Sequence, residues 1–213
     1  MANQLWIGSM IVGPVKTNCY ILRNKEFGSE AVVIDPGGDA KKLIASIKKV
    51  EAVPYAILLT HAHYDHIMAV RELQEEFPDC RVYIGEAERP MVEDPELNCS
   101  AVMNENYTIS PDEYLSDGAE IPLLGSTVRV IASPGHTAGS VCYYIESESV
   151  LFSGDTIFRD GVGRTDLPTG NTGKLYKSLE MLLTTLPEET EVLPGHGPAT
   201  TVGCEKAVEG FDS

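Results

Sequence analysis

The sequence predicts an α/β protein built from two β-sheets packed face to face, with helices on the outer surfaces. Two observations carry this. Strand-like and helix-like segments come in two similar runs, each of several strands followed by a helix, and such runs bury their apolar faces as stacked sheets covered by helices. Between residues 119 and 153 the strand candidates are closely spaced with short turns. That favours antiparallel pairing and weakens the alternative of one doubly wound parallel sheet. At 213 residues, 43% hydrophobic and 23% charged, the chain has an ordinary globular composition and can bury a sizeable core. No linker-like segment, low-complexity tract or fixed-spacing repeat divides it, so residues 1–213 are read as a single domain.

Taken in order, LWIGSMIVG (5–13) and NCYILR (18–23) read as two opening strands. The first is too short, and lacks the basic flank and cleavage site, for a signal peptide. EAVVID (30–35) is a third strand, closed by the turn cluster Asp35-Pro36-Gly37-Gly38. Leu43, Ile44, Ile47 and Val50 recur at helical spacing. YAILLT (55–60) is continuously apolar, as a strand buried on both faces would be. Residues 65–77 read as one helix with Ile67, Val70, Leu73 and Phe77 on one side, and Asp65 near its start suits the helix dipole. After RVYIG (81–85), residues 85–117 are polar and irregular, and a surface helix with a long loop is expected there. AEIPLL (119–124), TVRVIAS (127–133), VCYYIE (141–146) and VLFSG (150–154) follow as short strands. Leu175, Leu179, Leu182 and Leu186 then mark a second helix, and EVLPG (191–195) a last strand.

Sixteen basic residues stand against 32 acidic ones, a formal net charge of −16. That excludes a basic nucleic-acid footprint and predicts repulsion from anionic membranes. No apolar run approaches the roughly 20 residues of a membrane span. An anionic substrate needs a local basic group to counter this field. The five cysteines, Cys19, Cys80, Cys99, Cys142 and Cys204, are scattered and odd in number. They read as small hydrophobes in a reducing compartment, hence a cytoplasmic protein, with a disulfide or a reactive thiol as the alternative.

Every histidine of the chain follows a predicted strand. His61, His63 and His66 lie in THAHYDH after YAILLT, together with Asp65. His136 lies in Ser133-Pro134-Gly135-His136, and His196 in Leu193-Pro194-Gly195-His196. Asp155 follows VLFSG in the same way. Strand ends along one rim converge in space, and their loops carry chemistry on a rigid scaffold. Imidazole and carboxylate are the N/O ligands of zinc and similar ions. Seven such groups exceed one four-coordinate ion, but two ions about 3.5–4 Å apart can share them if a carboxylate and a solvent hydroxide bridge, and such pairs activate water at neutral pH.

With THAHYDH, SPGHTAGS, FSGD followed by GVGRTD, and LPGHGPATT in order from residue 60 to 201, and DPGG at 35–38, the chain resembles the metallo-β-lactamase superfamily, and within it the glyoxalase II-like branch. The resemblance covers nearly the whole chain. It implies a four-layer αββα sandwich of two mixed sheets. It also implies one metal held by His61, His63 and His136, a second held by Asp65, His66 and His196, and Asp155 bridging. Two divalent ions, zinc first with iron or manganese also accepted, would then hydrolyse a small thioester such as hydroxyacylglutathione through a bridging hydroxide, with Asp65 also orienting that hydroxide as its catalytic role. Arg164 in GVGRTD matches the basic residue of the glutathione site and would clamp a carboxylate. The helical C-terminal domain of glyoxalase II has no counterpart after His196, and Met68 stands where the family commonly has glycine. The alternative within the superfamily is a persulfide dioxygenase, with one iron on residues matching His61, His136 and Asp155. The oligomeric state leaves no mark in the sequence.

Overall fold

A computed structural model describes residues 5–209. The expected architecture is found. One six-stranded sheet runs in the order β1-β2-β3-β4-β5-β6: Leu5–Val12, Thr17–Asn24, Glu30–Ile34, Val53–Leu59, Arg81–Gly85 and Glu113–Leu115. Its first three strands pair antiparallel and the rest parallel. The second sheet runs β14-β13-β10-β9-β8-β7, with β7 Glu120–Leu123, β8 Ser126–Ala132, β9 Val141–Ile145, β10 Val150–Gly154, β13 Glu191–Pro194 and β14 Thr200–Thr201. There only β10 and β13 run parallel. A two-stranded ribbon, β11 Ile157–Phe158 and β12 Gly161–Val162, stands between β10 and the second long helix.

Alternation along each strand builds the layers. Ile57 and Leu59 of β4 join Leu43 and Ile47 of α1 (Ala40–Lys49) and Leu73 in one cluster. Ala56 and Leu58 point the other way, into the layer shared with Val130, Tyr143 and Phe152 of the second sheet. In that sheet Cys142, Tyr144 and Leu151 face outward onto Leu175, Leu179 and Leu182 of α5 (Thr172–Thr185), with Val202 of α6 (Val202–Glu209). The continuous apolar runs are therefore strands covered on both faces, and three apolar layers separate four layers of structure.

Two local expectations are corrected. Residues 65–77 are not one helix but two, α2 Tyr64–Ile67 and α3 Val70–Glu76. The break falls where the amide of Ala69 leaves the helical ladder and donates to Pro36 O at 2.9 Å. The Asp35-Pro36-Gly37-Gly38 turn packs so closely here that a side chain on Gly37 would meet Asp65 O. Residues 85–117 are not one surface helix and a loop. They hold the short helix α4 (Arg89–Glu93), whose Met91 and Val92 are buried, a 3₁₀ turn at Ser100–Met103, and strand β6. Three-residue and two-residue strands carry too little periodicity to be read, so β6, the β11/β12 ribbon and β14 were invisible in the sequence. Met68 has ordinary helical backbone angles (φ −65°, ψ −8°) and packs against the first core cluster, so the position does not require glycine.

Candidate metal centre

All seven predicted ligands converge on one rim. His61, His63, Asp65 and His66 follow β4, His136 follows β8, Asp155 follows β10 and His196 follows β13. They form three overlapping groups whose candidate ligand atoms lie within 4.8 Å of one another: His61, His63 and His136; His61, His66 and Asp155; Asp65, His66 and His196. Asp155 sits between the outer two. Its Oδ2 is 3.5 Å from His136 Nε2 and 3.6 Å from His196 Nε2, and its Oδ1 is 3.4 Å from His66 Nε2. Asp65 Oδ2 lies 3.2 Å from His196 Nε2 and accepts from Thr17 Oγ1 at 3.1 Å.

The surrounding network fixes which ring nitrogen faces inward. Asp35 Oδ1 and Oδ2 accept from the Thr60 amide (2.8 Å) and Thr60 Oγ1 (2.7 Å). With its proton committed to Asp35, Thr60 Oγ1 accepts from His61 Nδ1 at 3.1 Å. Asp35 Oδ2 also accepts from His66 Nδ1 at 2.9 Å. His136 Nδ1 donates to the backbone carbonyl of Arg164 at 2.8 Å. The Nε2 atoms of His61 and His66 are thereby turned into the site without a hydrogen bond, the orientation that metal-binding histidines need, while His136 Nε2 lies 2.9 Å from His63 Nδ1.

The donor set fits divalent cations on an observation of its own. The Nε2 atoms of His61, His63 and His66 and Oδ1 of Asp155 are buried and make no hydrogen bond. Each such orphan costs about 1–3 kcal/mol, and cations among these N and O donors remove that cost. The electrostatics split the site. Burial pushes the His61 imidazolium well below its ordinary pKa, helped by the neighbouring His66, and burial with His136 lowers His63 to about 3. Burial also lowers His136, against the pull of Asp155. His66 goes the other way: burial opposes its charge, but Asp155, Asp35 and Asp65 outweigh it and raise the pKa well above 6.5. For His196 burial is again outweighed, by the hydrogen bond to Asp65 and by Asp155.

Close backbone approach completes the site. A side chain at Gly195 would lie 2.2 Å from Asp155 Oδ1 and 2.7 Å from His66 Cε1. Gly154 combines a φ of +50° with contact on Thr60, where a Cβ would fall 2.4 Å from Oγ1. The His196 turn is tied down by Asn18 Nδ2, which donates to Pro194 O (3.0 Å) and Gly197 O (2.8 Å). The His136 turn is held by Ser178 Oγ of α5 on Pro134 O (2.8 Å).

Arg164, the predicted substrate residue, lines the cleft in front of these ligands. Its exposed guanidinium is closed on Asp166 through two bonds of 2.7 Å, while its carbonyl orients His136. The sequence reading missed three supporting residues. Asp35 was seen only as the start of a turn, although an acid at the end of an apolar strand was a usable signal. Thr17 carried none. Glu88, fully buried, accepts from the Ala62 amide (2.7 Å), Thr137 Oγ1 (2.6 Å) and the Gly139 amide (2.9 Å). It joins the first histidine loop to the His136 loop from a stretch with no readable pattern.

The described cysteines are all free, four buried and Cys204 exposed. No helix among the described residues is long and apolar enough to cross a membrane.

Comparison with known proteins places this site in a family. The chain is 40% identical over 199 residues to the "Probable metallo-hydrolase YqgX" of Bacillus subtilis, covering 92% of each chain. It is 32% identical over 196 residues to the "Hydroxyacylglutathione hydrolase GloC" of Haemophilus influenzae, covering 91% of this chain and 92% of that one. Among solved structures it superposes on the BLEG-1 B3 metallo-beta-lactamase with a TM-score of 0.89 at 42% identity, covering 95% and 97% of the two chains. It superposes on TTHA1623 in a di-iron-bound form with a TM-score of 0.84 at 38% identity, covering 96% and 99%. The sequence profile of the metallo-beta-lactamase superfamily matches residues 12–196, and the chain belongs to that superfamily.

Proposed function

We propose that the protein is a dinuclear metal-dependent hydrolase of a small thioester, hydroxyacylglutathione or a similar thiol conjugate. The observation that carries this reading is the convergence of all five histidines with Asp65 and Asp155 into two triads that share Asp155 as their common neighbour. We assign His61, His63 and His136 to one cation, Asp65, His66 and His196 to the other, and Asp155 to both. Zinc suits these donors, and iron or manganese is accepted by the same set. The similarity to a hydroxyacylglutathione hydrolase and to a protein holding two irons supports the substrate class and the cation number.

Cations held by these residues would supply a water of lowered pKa and polarise the scissile carbonyl. The protein's own groups prepare that chemistry. Asp35, directly and through Thr60, and the Arg164 carbonyl orient the rings of His66, His61 and His136. Thr17 Oγ1 donates to Asp65 Oδ2 and helps orient the carboxylate that would align the water. Arg164 stands at the rim as a clamp for a substrate carboxylate, which it binds by exchanging Asp166 for it. The free cysteines support a cytoplasmic setting, and the acidic net charge argues for a small molecule rather than nucleic acid or membrane as partner.

The rival reading, a persulfide dioxygenase using one iron on His61, His136 and Asp155, leaves the Asp65, His66 and His196 set without a purpose. The test is metal analysis of protein purified without added metal, with parallel assays of thioester hydrolysis and of oxygen uptake on glutathione persulfide. Two cations with hydrolysis are expected. One iron with oxygen uptake overturns the proposal.

A further inference from the structure

The cleft in front of the metal centre has a volume of about 600 Å³. Beyond the ligand side chains it is lined by Tyr64, Cys99, Arg164 and five apolar residues, and the apolar residues come from separate parts of the chain. Val15 lies in the β1–β2 turn, Val102 in the 3₁₀ turn after Cys99, Phe158 and Val162 on the β11/β12 ribbon, and Leu167 in the loop beyond it. Single exposed apolar side chains are ordinary. Here Val15 is 44% and Val102 72% exposed, yet both border the same concavity as three other apolar residues. A concave apolar wall beside a few convergent polar groups is the usual form of a small-molecule site.

Two further features sharpen this. The wall is held in place: the Phe158 ring centroid lies 6.2 Å from that of His196, and the ribbon is pinned by the Asp160 amide on Glu205 Oε2 at 2.9 Å and by Arg159 on Ala199 O. The cleft also offers a single basic group: among the described residues lining it, Arg164 is the one lysine or arginine, paired at the rim with Asp166, so the rest of a bound substrate meets the apolar residues.

We propose that this wall binds an uncharged, apolar limb of the substrate, an alkyl or aryl group carried on the acyl carbon or on the thiol. This rests on the hydrolase reading above and narrows its substrate class to thioesters with at least one apolar limb. Water adds across the acyl C–S bond to give a carboxylic acid and a thiol, and the limb itself is unchanged. Phe158 and Val102 set specificity by enclosing it.

Two measurements on the metal-loaded enzyme test the assignment. The first compares acetyl, butyryl and hexanoyl thioesters of one neutral thiol, N-acetylcysteamine. Burying each methylene is worth about fourfold, so kcat/KM rises along the series. Phe158→Ala and Val102→Ser lower the hexanoyl rate more than the acetyl rate. The second is calorimetry with unreactive thioethers: N-acetyl-S-hexylcysteamine binds at least tenfold tighter than its S-methyl counterpart, and Phe158→Ala removes the difference. A flat or inverted chain-length series together with equal binding of the two thioethers overturns the inference. Tight binding of the S-hexyl compound with no hydrolysis of any thioester supports the apolar wall and overturns the hydrolase reading instead.

Discussion

Asp35 Oδ2 lies 2.9 Å from His66 Nδ1 and 2.7 Å from the hydroxyl of Thr60, which in turn holds His61. One buried carboxylate thus fixes a histidine of each triad. Replacing such a partner of a metal-binding histidine typically costs 10–100-fold in metal affinity. Asp35→Asn should weaken both binding steps by that order in a stepwise zinc titration, whereas a change confined to one step would remove the shared role.

The two triads should empty in a fixed order as pH falls. A cation binds only deprotonated imidazole. His66 and His196 have raised pKa values, so protons compete for them from above 6.5 downwards. His61, His63 and His136 are depressed, His63 to about 3, so proton competition there sets in at lower pH than at His66 and His196. Dialysis from pH 8 to pH 5.5 should release the cation near Asp65, His66 and His196 and retain the other. Loss of both together would contradict the split.

Gly195→Ala places a methyl group 2.2 Å from Asp155 Oδ1. Neither Asp155 nor His66 can retreat without leaving the site. The variant should keep its far-ultraviolet circular dichroism and lose at least one bound cation with nearly all hydrolysis. Full metal content would show that the turn relaxes.

Arg164→Ala should raise KM for a carboxylate-bearing thioester more than it lowers kcat, because the guanidinium meets substrate away from the reacting carbonyl. The His136 orientation should survive, since it depends on the Arg164 carbonyl rather than its side chain. An unchanged KM would take the side chain out of the substrate site.

Chelation should lower thermal stability by an amount set by cation concentration. At 100 times Kd, binding to the native state alone adds about 2.7 kcal/mol for each cation, or roughly 5–10 °C apiece for a chain of this size. Scanning calorimetry before and after chelator treatment measures it. An unchanged Tm would mean that the buried orphan nitrogens and Asp155 Oδ1 find partners of their own.

Much of this was legible in the sequence because the relevant signals are dense. Long apolar runs such as YAILLT state that a strand is covered on both faces, and the position of every histidine after a strand states that the rim is the site. Asp65, His66, His136, Asp155 and His196 come together where expected. What stayed hidden depends on contacts between distant segments. The α2/α3 break is decided by the Ala69 amide turning to Pro36 across 33 residues of chain. Glu88 is one acid among many in an acidic chain until folding buries it between Ala62 and Thr137. Arg164 was read for its charge, and the structure adds a second contribution through its backbone.

The division of the ligands between the two sheets has a consequence for assembly. Each triad takes two residues from the rim of the first sheet and one from the second, and Asp155 also belongs to the second. No triad is complete within either half of the chain. A cation held by either triad would act as a rivet through the seam, so metal retention should report that the halves have docked in register.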